Sequence, residues 1–169
     1  MAAGRIKVEV TMGKFVLYTE IKAPVAVCFD LSRSIDLHVT SMEKTNEKAV
    51  SGVTEGLIGL NEQVTWQAKH FFISMKLTSK ITEFYYPYTF TDEMVEGPFQ
   101  KMKHRHIFEE MSGHTLMADE FEFSSPLGLL GKLVDFIVLN NYMTALLRKR
   151  NEVIKLHAEM FITNHPKPE

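Results

Sequence analysis

From Ala49 to Ser124 the chain is a succession of short alternating segments separated by tight turn signals, and nothing else in it constrains the fold as strongly. Between Asn61 and Lys69, Val64, Trp66 and Ala68 share one face. Ile73, Met75, Leu77, Ser79 and Ile81 then alternate with polar neighbours, the period of two that marks a half-buried strand. Tyr88 to Glu96 places Tyr88, Phe90, Asp92, Met94 and Glu96 together, and Gly97-Pro98 signals a turn. Gln100 to Glu110 carries Met102, His104, His106 and Phe108 on one face, with Lys101, Lys103 and Arg105 on the other. After Ser112-Gly113, the last strand presents Thr115, Met117, Asp119, Phe121 and Phe123. Links this short join antiparallel neighbours, because a parallel connection needs a long crossover.

Helical segments bracket this block. Lys14 to Glu20 reads as the first strand, and Ala23-Pro24 then opens a helix reaching about Leu31, since proline's fixed φ suits a first helical turn. Ser34 is placed to cap a second short helix from Ile35 to about Glu43. At the other end, Ser125-Pro126 starts a long helix that continues to about Ile162, with room for a bend near Gly128 or Gly131. Its first half is apolar almost all round, through Leu130, Leu133, Val134, Phe136, Ile137 and Val138. Its second half, with Arg148, Lys149, Arg150, Glu152 and Lys155, reads as much wetter. No repeat or Pro/Gly-rich linker interrupts the 169 residues, so a single domain with a core from about residue 14 to 162 is expected.

Composition narrows the functional classes. A formal net charge of −2 supplies no long-range attraction for a phosphate backbone, so no nucleic-acid partner is expected. The one cysteine, Cys28, excludes an internal disulfide and lies in the apolar run Val25 to Phe29, where a buried, inert thiol is expected. The opening residues lack the apolar core of a signal peptide. Lys132, Asp135, Asn140 and Asn141 interrupt the stretch from Leu127 to Leu147, which reads as a buried helix rather than a membrane span. A cytoplasmic protein with no stable membrane insertion is the resulting expectation.

The order of strand, two short helices, about six antiparallel strands and one long helix resembles the helix-grip superfamily of START domains, birch-pollen-type allergens and polyketide cyclases. The residues that carry the resemblance are Ile21-Lys22-Ala23-Pro24 with Val27, Phe29 and Asp30, then Gly56-Leu57-Ile58-Gly59, and Ser125-Pro126-Leu127-Gly128. More narrowly, the chain looks like the bacterial ligand-binding, cyclase/dehydrase-like members of that group. The resemblance covers about residues 14 to 162 and implies an α+β helix-grip fold: a curved antiparallel sheet of about seven strands wrapped around the C-terminal helix. It also implies an internal cavity for lipids, polyketides or similar molecules; periodicity alone gives only an apolar sheet face and a helix to cover it.

The inward set expected to line such a cavity is Trp66, Met75, Leu77, Phe90, Asp92, Met94, Met102, His104, His106, Met117, Asp119 and Phe121 from the sheet, with Val134 and Ile137 from the helix. A methionine-rich lining suits a flexible apolar ligand and equally an irregular core. If Gly97 to Phe99 is a tight reversal, Asp92 faces His104 and Phe90 faces His106. If Ser112-Gly113 is a two-residue loop, His106 faces Asp119 and His104 faces Phe121. Three roles are open to these His–Asp couples: mutual satisfaction inside the fold, orientation of a guest, or acid–base catalysis, with His104, His106, Asp92 and Asp119 as candidates. No metal and no cofactor are expected, because no Cys/His set completes zinc's tetrahedron. His70, beside a turn, and His165, in the tail, are read as outside the group, and the stretch from Gly52 to Gly59 as a mobile loop and candidate lid. A binder of a small apolar molecule leads; a cyclase, dehydratase or hydrolase is the alternative, and a protein-interaction module or homodimer the third reading.

Overall fold

Alternation becomes pairing in one eight-stranded antiparallel sheet of order β1-β2-β8-β7-β6-β5-β4-β3. The computed structural model describes residues 6–11, 13–70, 73–124 and 139–164. The strands are β1 (Ile6–Thr11), β2 (Lys14–Ile21), β3 (Lys48–Gly52), β4 (Gln63–His70), β5 (Ile73–Tyr85), β6 (Thr89–Glu96), β7 (Lys101–Met111) and β8 (His114–Ser124). Between β2 and β3 lie α1 (Val25–Ser32), α2 (Ile35–Ser41) and a single 3-10 turn (Glu43–Thr45). Helix α3 (Asn140–Asn164) follows the sheet. The expected kink at Gly128 or Gly131, and the expected lining residues Val134 and Ile137, lie outside the described residues.

The count of about seven strands rises to eight because Ile6–Thr11 folds back on β2, from Ile6 opposite Thr19 to Thr11 opposite Lys14. The two short helices therefore follow the second strand rather than the first. The sheet stays open, with β1 and β3 as its edges. Strand β3 shifts register between Ala49 and Ser51 and ends on Gly52, whose φ of +75° places a would-be Cβ against the Gln63 carbonyl. Only glycine meets both conditions.

Two apolar clusters fill the concave side. One gathers Ile21, Cys28, Phe29, Ile35, Trp66, Ile81, Phe90, Phe108, Met117 and Ile154 beneath the short helices. The other gathers Phe15, Leu17, Met102, Phe121, Phe123 and Leu147. Helix α3 lies across both, burying Leu147, Arg150, Asn151, Ile154 and Ala158 at three- and four-residue spacing. Arg148, Lys149 and Glu152 are exposed as expected, whereas Arg150 is buried at 5% exposure. It lies on the apolar stripe, three residues after Leu147 and four before Ile154, so the wet second half has a dry polar face.

Proline 24 is the N-cap of α1 rather than its first helical residue. Ser34 caps α2, its Oγ accepting from the Leu37 N–H at 3.2 Å. Ser34→Ala should lower stability by about 1 kcal/mol, read from the midpoint of urea unfolding. The stretch after Gly52, read from sequence as a mobile loop and candidate lid, makes hydrogen bonds to the start of α2. Ile35 N–H donates to the Gly56 carbonyl, Ile58 N–H to the Arg33 carbonyl, and Gly56 N–H to Asp36 Oδ2. Ile58 is buried in the core, while the apolar side chains of Leu57 and Leu60 are exposed. Among the described residues, no helix is long and apolar enough to cross a membrane.

Candidate functional site

Between the concave sheet, α2 and the first turns of α3 lies a cavity of about 330 Å³. That falls within the size range of small-molecule sites. Its apolar wall includes Trp66, Met75, Leu77, Phe90, Met102 and Phe121 from the sheet, with Met143 and Leu147 from α3 and Leu139 just before it. Asp92, His104, His106 and Arg150 provide its polar wall. Three expected lining residues are elsewhere. Met117 is fully buried under α1, where Ser32 Oγ donates to its sulfur. Met94 packs into the second apolar cluster and against Gly97. Asp119, also fully buried, stands behind the histidines rather than in the wall.

The strand register pairs Asp92 with His104, Phe90 with His106, His106 with Asp119 and His104 with Phe121. The hydrogen bonds run diagonally to it. His104 Nε2 donates to Asp119 Oδ1 at 2.9 Å, and His106 Nε2 donates to Asp92 Oδ1 at 3.1 Å. His106 Nδ1 also lies 2.9 Å from Asp119 Oδ1, but off the hydrogen-bonding angle. The rings lean together, with centroids 3.8 Å apart, and His106 stacks on Phe90 at 4.1 Å. Leaning rings reach diagonal partners that direct opposition does not predict.

Asp119 is held by more than the histidines. Asn151 Nδ2 donates to its Oδ2 at 2.6 Å, and Arg150 Nη1 lies 3.9 Å from its Oδ1. Burial alone would raise this carboxyl's pKa, but the His104 and His106 contacts outweigh it and keep Asp119 well below the usual carboxylate range. Asp92 is lowered for the same reason, its His106 hydrogen bond overcoming burial. Burial and the adjacent His106 push His104 down to about 4, so its ring is a neutral donor to Asp119 at pH 7. Arg150 Nη2 donates to the Ser32 carbonyl, while its buried Nη1 has no hydrogen-bond partner among the described residues. Cys28, fully buried, is pushed up to about 11 by burial, which keeps the thiol protonated and unreactive.

A second polar group was not anticipated from sequence. His38 stacks on Trp66 at 4.1 Å and contacts Glu47 Oε1 through Nε2 at 2.8 Å. His70 belongs to the cavity wall after all, its Nδ1 2.7 Å from the Tyr142 hydroxyl. It is separate from the His104–His106 group, as expected, and burial lowers its pKa. His70 ends β4 and continues the alternation of Val64, Trp66 and Ala68, which was the signal available for it; Glu47 carried none.

No protein-family model matches the chain, and no curated protein sequence matches it. Solved structures do. A START superfamily protein from Mycobacterium smegmatis aligns with a TM-score of 0.66 at 11% identity, over 88% of this chain and 98% of that one. Ginseng major latex-like protein 151 from Panax ginseng gives 0.64 at 18% identity, over 86% and 97%. Ara h 8.0201 gives 0.62 at 13% identity, over 90% and 98%. With one open antiparallel sheet, two short helices and a long C-terminal helix, the chain has the α+β helix-grip fold of the START-like proteins.

Proposed function

We propose that this protein binds one small, mainly apolar molecule in the cavity between sheet and α3, as a carrier or sensor rather than an enzyme. The observation that carries the reading is the composition of the cavity wall. Aromatic, leucine and methionine side chains surround about 330 Å³, with charged and imidazole groups gathered in two places, Asp92, His104, His106 and Arg150 in one and His38, Glu47 and His70 in the other. A molecule with one polar end meets the apolar wall and the first of these groups. Arg150 Nη1, buried on the cavity wall with no hydrogen-bond partner among the described residues, supports a guest that carries a hydrogen-bond acceptor at that end.

Trp66 makes this testable, because the only tryptophan stands in the wall. Titration with a fluorescent fatty acid is expected to saturate at one site while quenching Trp66 emission. Ala68→Phe fills the cavity from β4 and should weaken the probe by about tenfold or more, roughly 1.4 kcal/mol. Unsaturable, nonspecific quenching that Ala68→Phe leaves unaltered would count against the reading.

A second reading is acid–base chemistry at the same wall. It is favoured by His104, a neutral ring oriented by a buried carboxylate, opening on the cavity. Once a substrate is in hand, full turnover by both His104→Ala and His106→Ala would remove it.

A further inference from the structure

We propose that Asp92, His104 and His106 form a binding site for one divalent first-row transition-metal ion that opens on the cavity. The site goes beyond the apolar-guest reading and does not depend on the identity of any guest. His104 and His106 stand two residues apart on β7 and so project from one face, while Asp92 is opposite His104 on β6. One ligand atom from each of the three lies within 4.8 Å of the others. Asp92 Oδ1 is 3.1 Å from His106 Nε2 and 3.8 Å from His104 Nδ1. Donors held about 2.0–2.2 Å from an ion sit roughly 3.0–3.5 Å from one another, so the two Asp92 separations are within a few tenths of an ångström of that spacing, and the side chains must draw together where the group spreads toward its 4.8 Å bound.

Asp119 is what distinguishes this arrangement from two incidental ion pairs. It accepts from His104 Nε2 and lies 2.9 Å from His106 Nδ1, so a small turn of the His106 ring, with its proton moved from Nε2 to Nδ1, would let it hold the far nitrogen of both rings. The near nitrogens, His104 Nδ1 and His106 Nε2, are left facing Asp92. A carboxylate behind a ligating imidazole fixes ring orientation and tautomer and raises ligand basicity. Asn151 holds this carboxylate in turn, at 2.6 Å. The positive charge of Arg150 is close by, and Asp119, 3.9 Å from Nη1, offsets it.

Two imidazoles with one carboxylate favour iron, cobalt or zinc over the oxygen-seeking magnesium and calcium. The expectation of no metal rested on the missing fourth ligand of a closed tetrahedron. A three-donor site with positions open to the cavity needs no fourth side chain. A guest's carbonyl or carboxylate, or water, would occupy those positions.

The test uses untagged full-length protein stripped with a chelator and titrated separately with Co²⁺, Zn²⁺, Mg²⁺ and Ca²⁺. The expected result is one Co²⁺ per chain with visible d–d absorption, displaced by Zn²⁺, and no response to Mg²⁺ or Ca²⁺. Asp92→Asn and His104→Ala should each weaken Co²⁺ by about tenfold or more, and Asp119→Asn by about 10–100-fold. Exposed His157→Ala should leave it unchanged. Circular dichroism confirms that each variant is folded, and Asp92→Asn, at a partly exposed position, carries the test should the Asp119 variant unfold. Absence of saturable Co²⁺ binding, or binding that survives Asp92→Asn and His104→Ala together, overturns the proposal. The fluorescent fatty acid, titrated into the same metal-free protein, separates the two readings: probe without metal leaves the apolar-guest reading standing and this one refuted.

Discussion

Asp119→Ala is expected to lower stability by about 3–5 kcal/mol, the cost of removing one partner from a buried charged group. The side chain is fully buried and receives hydrogen bonds from His104 and Asn151, with Arg150 nearby. Its removal takes the acceptor from His104 and from Asn151 and the nearest anion from Arg150, all three of them buried. For a chain of 169 residues this corresponds to a fall in Tm of roughly 6–20 °C. Asp119→Asn retains the shape and an acceptor oxygen for His104 and should cost less. Because Asp119 is ionised well below its ordinary range, its contribution is present at neutral pH and is lost as pH falls through the depressed folded-state value. Calorimetric scans of wild type and both variants at pH 7 check the order.

The second large effect is at Phe29, which serves the fold and not the cavity. Its ring is fully buried on α1 and makes edge contacts at 5.2 Å with Phe84, Tyr86 and Phe90. Phe29→Ala empties the centre of that aromatic group, for an expected loss of about 3–5 kcal/mol. The urea midpoint should fall at unchanged slope. Phe29 is absent from the cavity wall, so the folded fraction should still bind the fluorescent fatty acid with wild-type affinity. A matching loss of probe affinity would mean that the cavity and this core are one cooperative unit.

Most of the sheet was legible because its signals are local. The two-residue loop at Ser112-Gly113 sets Met111 opposite His114, and that register carries His106 to Asp119. What the register did not disclose was which nitrogen meets which carboxylate, because ring lean is decided by packing against Phe90 and Phe121. Strand β1 shows alternation in Ile6–Thr11, but six residues beside the chain's beginning form too short a window to separate a strand from a tail. Arg150 was misplaced for a different reason. Charge was read as solvation, whereas its spacing from Leu147 and Ile154 sets it on the buried stripe. Periodicity outranks polarity when a buried carboxylate is available as partner. His38 and Glu47 meet across the chain between α2 and β3, a contact with no local pattern behind it.

The most direct test of the central claim is native mass spectrometry on protein purified from its own host, paired with thermal shifts against a lipid and polyketide panel. The predicted result is one bound small molecule per chain, lost on Ala68→Phe. At a hundredfold excess over Kd, a matching panel compound should add about 2.7 kcal/mol, or roughly 5–11 °C in Tm. Protein that is repeatedly empty and unmoved by every compound in the panel would contradict the account.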